Sequence, residues 1–128
     1  MRDVVLYAPE DQHYLEQLFV HLRDMQAVQS GAALDTLRGI ALRRVLLLMS
    51  IDLLYRLECE ADYSLLYQQL KLFEREGMVT VVPLRSCHWE ESFEHCAVLP
   101  SGGPTIATLC PAAQEVAYQE IAAALALF

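Results

Sequence analysis

The sequence predicts an α/β domain built on a mainly parallel sheet. Three observations carry that expectation. Val45-Leu46-Leu47-Leu48-Met49 is wholly apolar, too short for an independent helix and without polar alternation, so it reads as a strand buried on both faces. The run stops at Ser50-Ile51-Asp52, and a long helical pattern follows. Apolar strand-like segments and helix-like segments alternate along most of the chain, as in successive βα units.

The opening segment, Asp3–Tyr7, is a short apolar strand. Ala8-Pro9-Glu10-Asp11 suits a helix start, because proline fits the first turn and acidic residues suit its positive end. Tyr14, Leu15, Leu18, Phe19, Leu22 and Met25 form one apolar stripe of an amphipathic helix. Met25–Val28 is a brief edge strand and Ser30-Gly31 a turn. A short helix is expected over Ala33–Leu42, weakened by Gly39 at a cost of about 1 kcal/mol relative to alanine. Arg43 and Arg44 are expected to flank the central strand in solvent.

Asp52 can cap the next helix, whose pattern runs through Leu53, Leu57, Leu65, Leu70 and Phe73 to a stop at Gly77. Met78–Leu84 is another apolar strand, with Pro83 near its end where a lost N–H is tolerated. Arg85–Ala97 is polar and irregular, and Leu99–Pro104 is a turn-rich connector. Thr105–Leu109 is expected as a final edge strand, and Pro111 opens the last helix. Helix-connected strands of this kind run parallel with right-handed crossovers. The natural arrangement is a flavodoxin-like, three-layer fold of four to five strands in the order 2-1-3-4-5, its second strand reduced or missing.

The 128 residues suit one domain spanning 1–128. With 55% hydrophobic residues the chain has enough apolar surface for a core. The formal net charge of −8 would repel a nucleic-acid backbone or an anionic membrane, so neither is expected as a partner. No apolar run reaches the roughly 20 residues of a membrane span. The amino terminus lacks the charged-then-apolar pattern of a signal peptide. Cys59, Cys87, Cys96 and Cys110 are dispersed rather than arranged as a disulfide scaffold, so a cytoplasmic protein with reduced thiols is expected.

Several stretches resemble the bacterial type of Toll/interleukin-1 receptor (TIR) domain. Leu6-Tyr7-Ala8-Pro9-Glu10-Asp11 resembles the family's first strand end, Ser-Tyr-Ser-His-x-Asp. Val45–Leu54 resembles its third-strand signature, an apolar run ending Ser-Pro-x-Phe-Leu or Ser-x-Asp-Phe-Leu. Val81-Val82-Pro83-Leu84-Arg85-Ser86-Cys87-His88-Trp89 resembles Ile-Pro-Val-x-x-Arg-x-Cys-Asp-Trp, and Phe93 with Ala97-Val98-Leu99-Pro100 resembles the stretch after it. Two departures stand out. Only Asp24–Arg43 fills the space that the family gives to a second strand, an extended loop and a full helix. In members that cleave NAD, a glutamate lies three residues after a helix cysteine; here Cys59 leads to Asp62.

The resemblance implies a protein-interaction and signalling module of a bacterial immune or defence system, acting by homotypic or heterotypic assembly. No cofactor is expected. The alternative is an NAD-cleaving enzyme (an NAD+ nucleosidase) with Asp62 as its catalytic carboxylate and NAD as substrate. Aspartate has the charge but one methylene less reach, and an error near 1 Å can cost about a hundredfold. Tyr7, Ser50, Asp52 and Trp89 are the candidate pocket residues.

The Cys87–Cys96 loop and the last helix, with Ala122, Ala123 and Ala126, are candidate interaction surfaces. Cys87, His88, His95 and Cys96 have zinc-ligand chemistry, but adjacent Cys-His pairs cannot easily aim both side chains at one ion, so no metal is expected. His13 and His21 are eight apart and do not share a metal. A receiver-domain reading lacks an aspartate ending the third strand, and Lys71, the one lysine, lies on a helix. There is no glycine-rich phosphate loop and no serine elbow.

Overall fold

The computed structural model describes residues 2–22, 25–29, 37 and 41–126. Five parallel strands form one sheet in the order β2-β1-β3-β4-β5. They are β1 (Arg2–Tyr7), β2 (Met25–Gln29), β3 (Leu42–Met49), β4 (Val79–Pro83) and β5 (Ala97–Val98). The helices are α1 (Gln12–Phe19), α2 (Ile51–Cys59), α3 (Ser64–Arg75) and α4 (Pro111–Ala126). This is a flavodoxin-like three-layer fold.

Residues Val45–Met49 are completely buried and alternate between two cores. Val45, Leu47 and Met49 face the layer of α2 and α3, where they meet Leu53, Leu57, Leu66 and Leu70. Leu46 and Leu48 face the layer of α1 and α4, among Leu15, Leu18, Tyr118 and Ile121. A strand covered on both faces needs no polar side chain, which is why the run is uninterrupted.

The structure corrects five local expectations. First, β3 begins at Leu42, so Arg43 and Arg44 lie within the strand. Both reach Asp3 of β1: Arg43 Nε donates to Oδ1 at 2.9 Å, and Arg44 Nη2 donates to Oδ2 at 3.0 Å. Second, the brief strand expected over Met25–Val28 is not missing: it is β2, extended by one residue to Gln29 and paired along β1. Of the helix expected over Ala33–Leu42, Leu42 is strand and Leu37 is buried; most of the rest, with the Ser30-Gly31 turn, lies outside the described residues.

Third, the long helix after β3 is two helices joined by a 3-10 turn, Ala61–Tyr63. Leu57 and Leu66 are nine residues apart, about 2.5 helical turns, so one straight helix would point them in opposite directions. Breaking at Glu60, which is extended, lets both enter the same core. Fourth, Ser50 rather than Asp52 caps α2: its backbone is extended and its side chain accepts from Leu53 N–H. Fifth, the edge strand β5 is Ala97–Val98, two residues beside Thr80 and Val81. Thr105–Leu109 instead forms a 3-10 turn over Ile106–Thr108 that plugs Ile106 into the α1/α4 core. Gly77 ends α3 as expected, at a positive φ of 73°. Among the described residues no helix is long and apolar enough to cross a membrane.

Candidate functional site

Open α/β sheets place ligands at the carboxyl ends of their strands, where neighbouring connections diverge to opposite faces. Here that point lies between β1 and β3, since α1 and α2 leave to opposite sides of the sheet. Three polar residues follow the three adjacent strands. Asp11 closes the 3-10 turn Pro9–Asp11 after β1, Ser50 follows β3 and Arg85 follows β4.

These side chains converge. Asp11 is completely buried. Its Oδ2 accepts the Ser50 hydroxyl proton at 2.5 Å, and its Oδ1 lies 3.1 Å from Arg85 Nη2. The same guanidinium nitrogen donates to Asp52 Oδ2. Arg56 extends the chain of charges, donating to Glu10 Oε2 at 2.8 Å and to the Asp52 carbonyl at 3.4 Å. The Arg56 hydrogen bond holds the Glu10 carboxyl below its ordinary range. Arg85 is held more firmly protonated than usual: burial opposes this, but the Asp52 hydrogen bond and the Asp11 charge outweigh it.

The crevice at the switch point is therefore crossed by side chains of the chain itself. A cavity of about 470 Å³ lies to one side, against Pro83, Arg85, Trp89 and Thr105. A shallower one of about 210 Å³ lies to the other, against Glu10, Asp52, Tyr55 and Arg56. Ile51 borders both and is half exposed.

Of the residues singled out in the sequence, Ser50 and Asp52 meet at this rim. Trp89 borders the larger cavity, yet most of its ring is buried in the α2/α3 core. Tyr7 turns to the other face and packs in the α1/α4 core. Asp62 is exposed on the Ala61–Tyr63 turn and lines neither rim cavity. It adjoins a separate groove of about 470 Å³ bordered by Glu58, Cys59, Ala61, Ser64, Tyr67 and Ser92.

Cys87 and Cys96 are half-buried and pack against the α2/α3 core, while His88 and His95 are exposed. Burial, with the Glu90 charge, pushes the Cys87 thiol up to about 11. Burial and the Glu74 carboxylate push Cys96 up to about 12, and its thiol points at Glu74 Oε2, 3.5 Å away. Thiols held protonated in this way are poor metal ligands and poor nucleophiles. Among the described residues no group of three or more His, Cys, Asp or Glu side chains could hold a metal ion.

Asp11 and Arg85 are the rim residues that sequence reasoning passed over. Asp11 read as one of two acids in a helix's first turn, and Arg85 as a motif position. The available signal was positional: each is a polar residue just beyond the end of an apolar strand, on the two strands that flank the central one in the predicted order. The chain matches no protein-family model, and a search of curated proteins finds no match to it.

Proposed function

We propose that the chain is a TIR-like protein-interaction and signalling module of a bacterial defence system, working by homotypic or heterotypic assembly. The observation that supports it is the crossed crevice. Where an α/β sheet of this order would receive a ligand, Asp11, Ser50, Asp52 and Arg85 bind one another. The outer surfaces of the helices remain for function. Ile51 and Tyr55, one turn apart on α2, and Leu65 and Leu72, two turns apart on α3, are each half exposed or more. The TIR resemblance supplies the defence context and carries the fold into this reading.

Light scattering across a wide concentration range tests it. Mass should rise with concentration or on adding a partner, and Ile51→Asp with Tyr55→Ser should reduce that rise. A mass fixed at one chain under every condition, partner included, rules the reading out. The NAD-cleaving alternative draws support from one feature: Asp62 sits between Ala61 and Ser64, which border the Tyr67 groove. Nicotinamide release by concentrated protein, abolished in Asp62→Asn, is its expected outcome; intact NAD after prolonged incubation counts against it.

A further inference from the structure

We propose that Ser86–Cys96 is a strap that opens as a unit while the sheet and helices stay folded, and that Lys71 and Glu74 of α3 form its latch. This inference does not rest on the assembly reading.

The strap has no regular secondary structure. Its backbone-to-backbone hydrogen bonds are internal among the described residues: Ser92 and Phe93 N–H both donate to the Trp89 carbonyl, and Cys96 N–H donates to the Phe93 carbonyl. Both ends are fixed. Leu84 N–H donates to the Met49 carbonyl at 2.8 Å, and Leu99 N–H donates to the Val81 carbonyl at 3.0 Å. Within Ser86–Cys96, side chains make the polar ties to the rest of the fold among the described residues. Lys71 Nζ donates to the Ser92 carbonyl and pairs with Glu74 Oε1 at 2.5 Å. Glu74 Oε2 accepts from His95 N–H at 3.1 Å and from the Cys96 thiol. Lys71 also lies 5.3 Å from the centroid of the Phe93 ring, and Ser92 Oγ donates to Glu58.

Segments tied down by side chains rather than by backbone ladders open at lower free energy than the strands beside them. Trp89 and Phe93 plug the α2/α3 core and keep the strap shut at rest. The polar ties converge on one lysine and one buried glutamate, so losing either charge weakens them together. The strap also walls both larger spaces: Trp89 borders the rim cavity, and Ser92 borders the Tyr67 groove. Opening would expose the side chains that now border both.

Native-state hydrogen exchange on the whole chain tests this, with Trp89, the one tryptophan, as a fluorescent reporter. In the unsubstituted protein, amides of residues 87–96 should exchange at least about tenfold faster than those of β3 and β4. Lys71→Met should speed the strap by about a further tenfold and shift Trp89 emission to the red, with β3 rates unchanged. Glu74→Gln should do the same to a lesser degree. Strap amides as slow as β3 in the unsubstituted protein overturn the strap, a result that needs no variant to fold. Equal acceleration of strap and sheet in Lys71→Met, or no acceleration of either, overturns the latch.

Discussion

The two ends of the sheet carry inverse ionic arrangements. At the amino end one carboxylate, Asp3, lies between two guanidiniums, Arg43 and Arg44. At the carboxyl end one guanidinium, Arg85, lies between two carboxylates, Asp11 and Asp52. The contrast that matters is in burial. If Asp3 is lost, Arg43 keeps 39% of its side chain exposed to water, and Arg44, 11% exposed, keeps its hydrogen bond to the Leu125 carbonyl. Asp11 has no such recourse, being 0% exposed. A network is only as tolerant as its most buried charge.

The largest effect is therefore expected from Arg85→Met. It strands the Asp11 carboxylate with Ser50 as its remaining partner and should cost about 3–5 kcal/mol at neutral pH. Adding Asp11→Asn should recover part of that loss, which a double-mutant cycle in urea would measure. Full additivity of the two changes would show that the charges do not interact.

Asp3→Asn should cost less, about 1.5–3 kcal/mol, as hydrogen bonds to charged partners typically do. Its pH dependence has a definite sign. Burial alone would raise the Asp3 carboxyl, but hydrogen bonds from Arg43 and Arg44 and their charges outweigh it and hold it below the ordinary 3.8. Its stabilisation is therefore fully present above the unfolded value and is lost as pH falls through the lower folded value. The gap in melting temperature between the unsubstituted protein and Asp3→Asn should close in acid. Glu74 behaves alike: burial opposes ionisation, yet the Lys71, His95 and Cys96 hydrogen bonds hold its carboxyl below 4.5. Glu74→Gln should narrow the acid-side loss in the same way.

The smallest effect belongs to the outlying pair of the carboxyl rim. Glu10 is 40% exposed, so Glu10→Gln should change stability by no more than about 1 kcal/mol, and less in high salt. A loss comparable to that of Arg85→Met would mean that the rim acts as one network out to its exposed end.

Much of the architecture was legible in the residues because burial on two faces leaves a strong mark. Val45–Met49 could only be a central strand, and strand order follows once its neighbours are joined through helices. The misplaced edge strand shows the limit. Ala97–Val98 is two residues long, too short for a pattern, while Ile106 looked like strand but fills a hole beneath a 3-10 turn. The interruption at Glu60 was hidden for a related reason. Steps of three and four continue through it, and only the requirement that Leu57 and Leu66 share one core reveals the break. The site was half legible. Ser50 and Asp52 stand at a strand end by sequence alone, but Asp11 reads as an ordinary surface acid until β1 is laid beside β3.

Ser50 has a single hydroxyl proton and gives it to Asp11, while its oxygen receives the Leu53 N–H at 3.5 Å. One atom thus couples two points of the chain 39 positions apart. During synthesis Asp11 emerges first and waits for its donor. The proton can reach that acceptor only with the third strand lying along the first, so one hydroxyl joins the head of α2 to the innermost seam of the sheet.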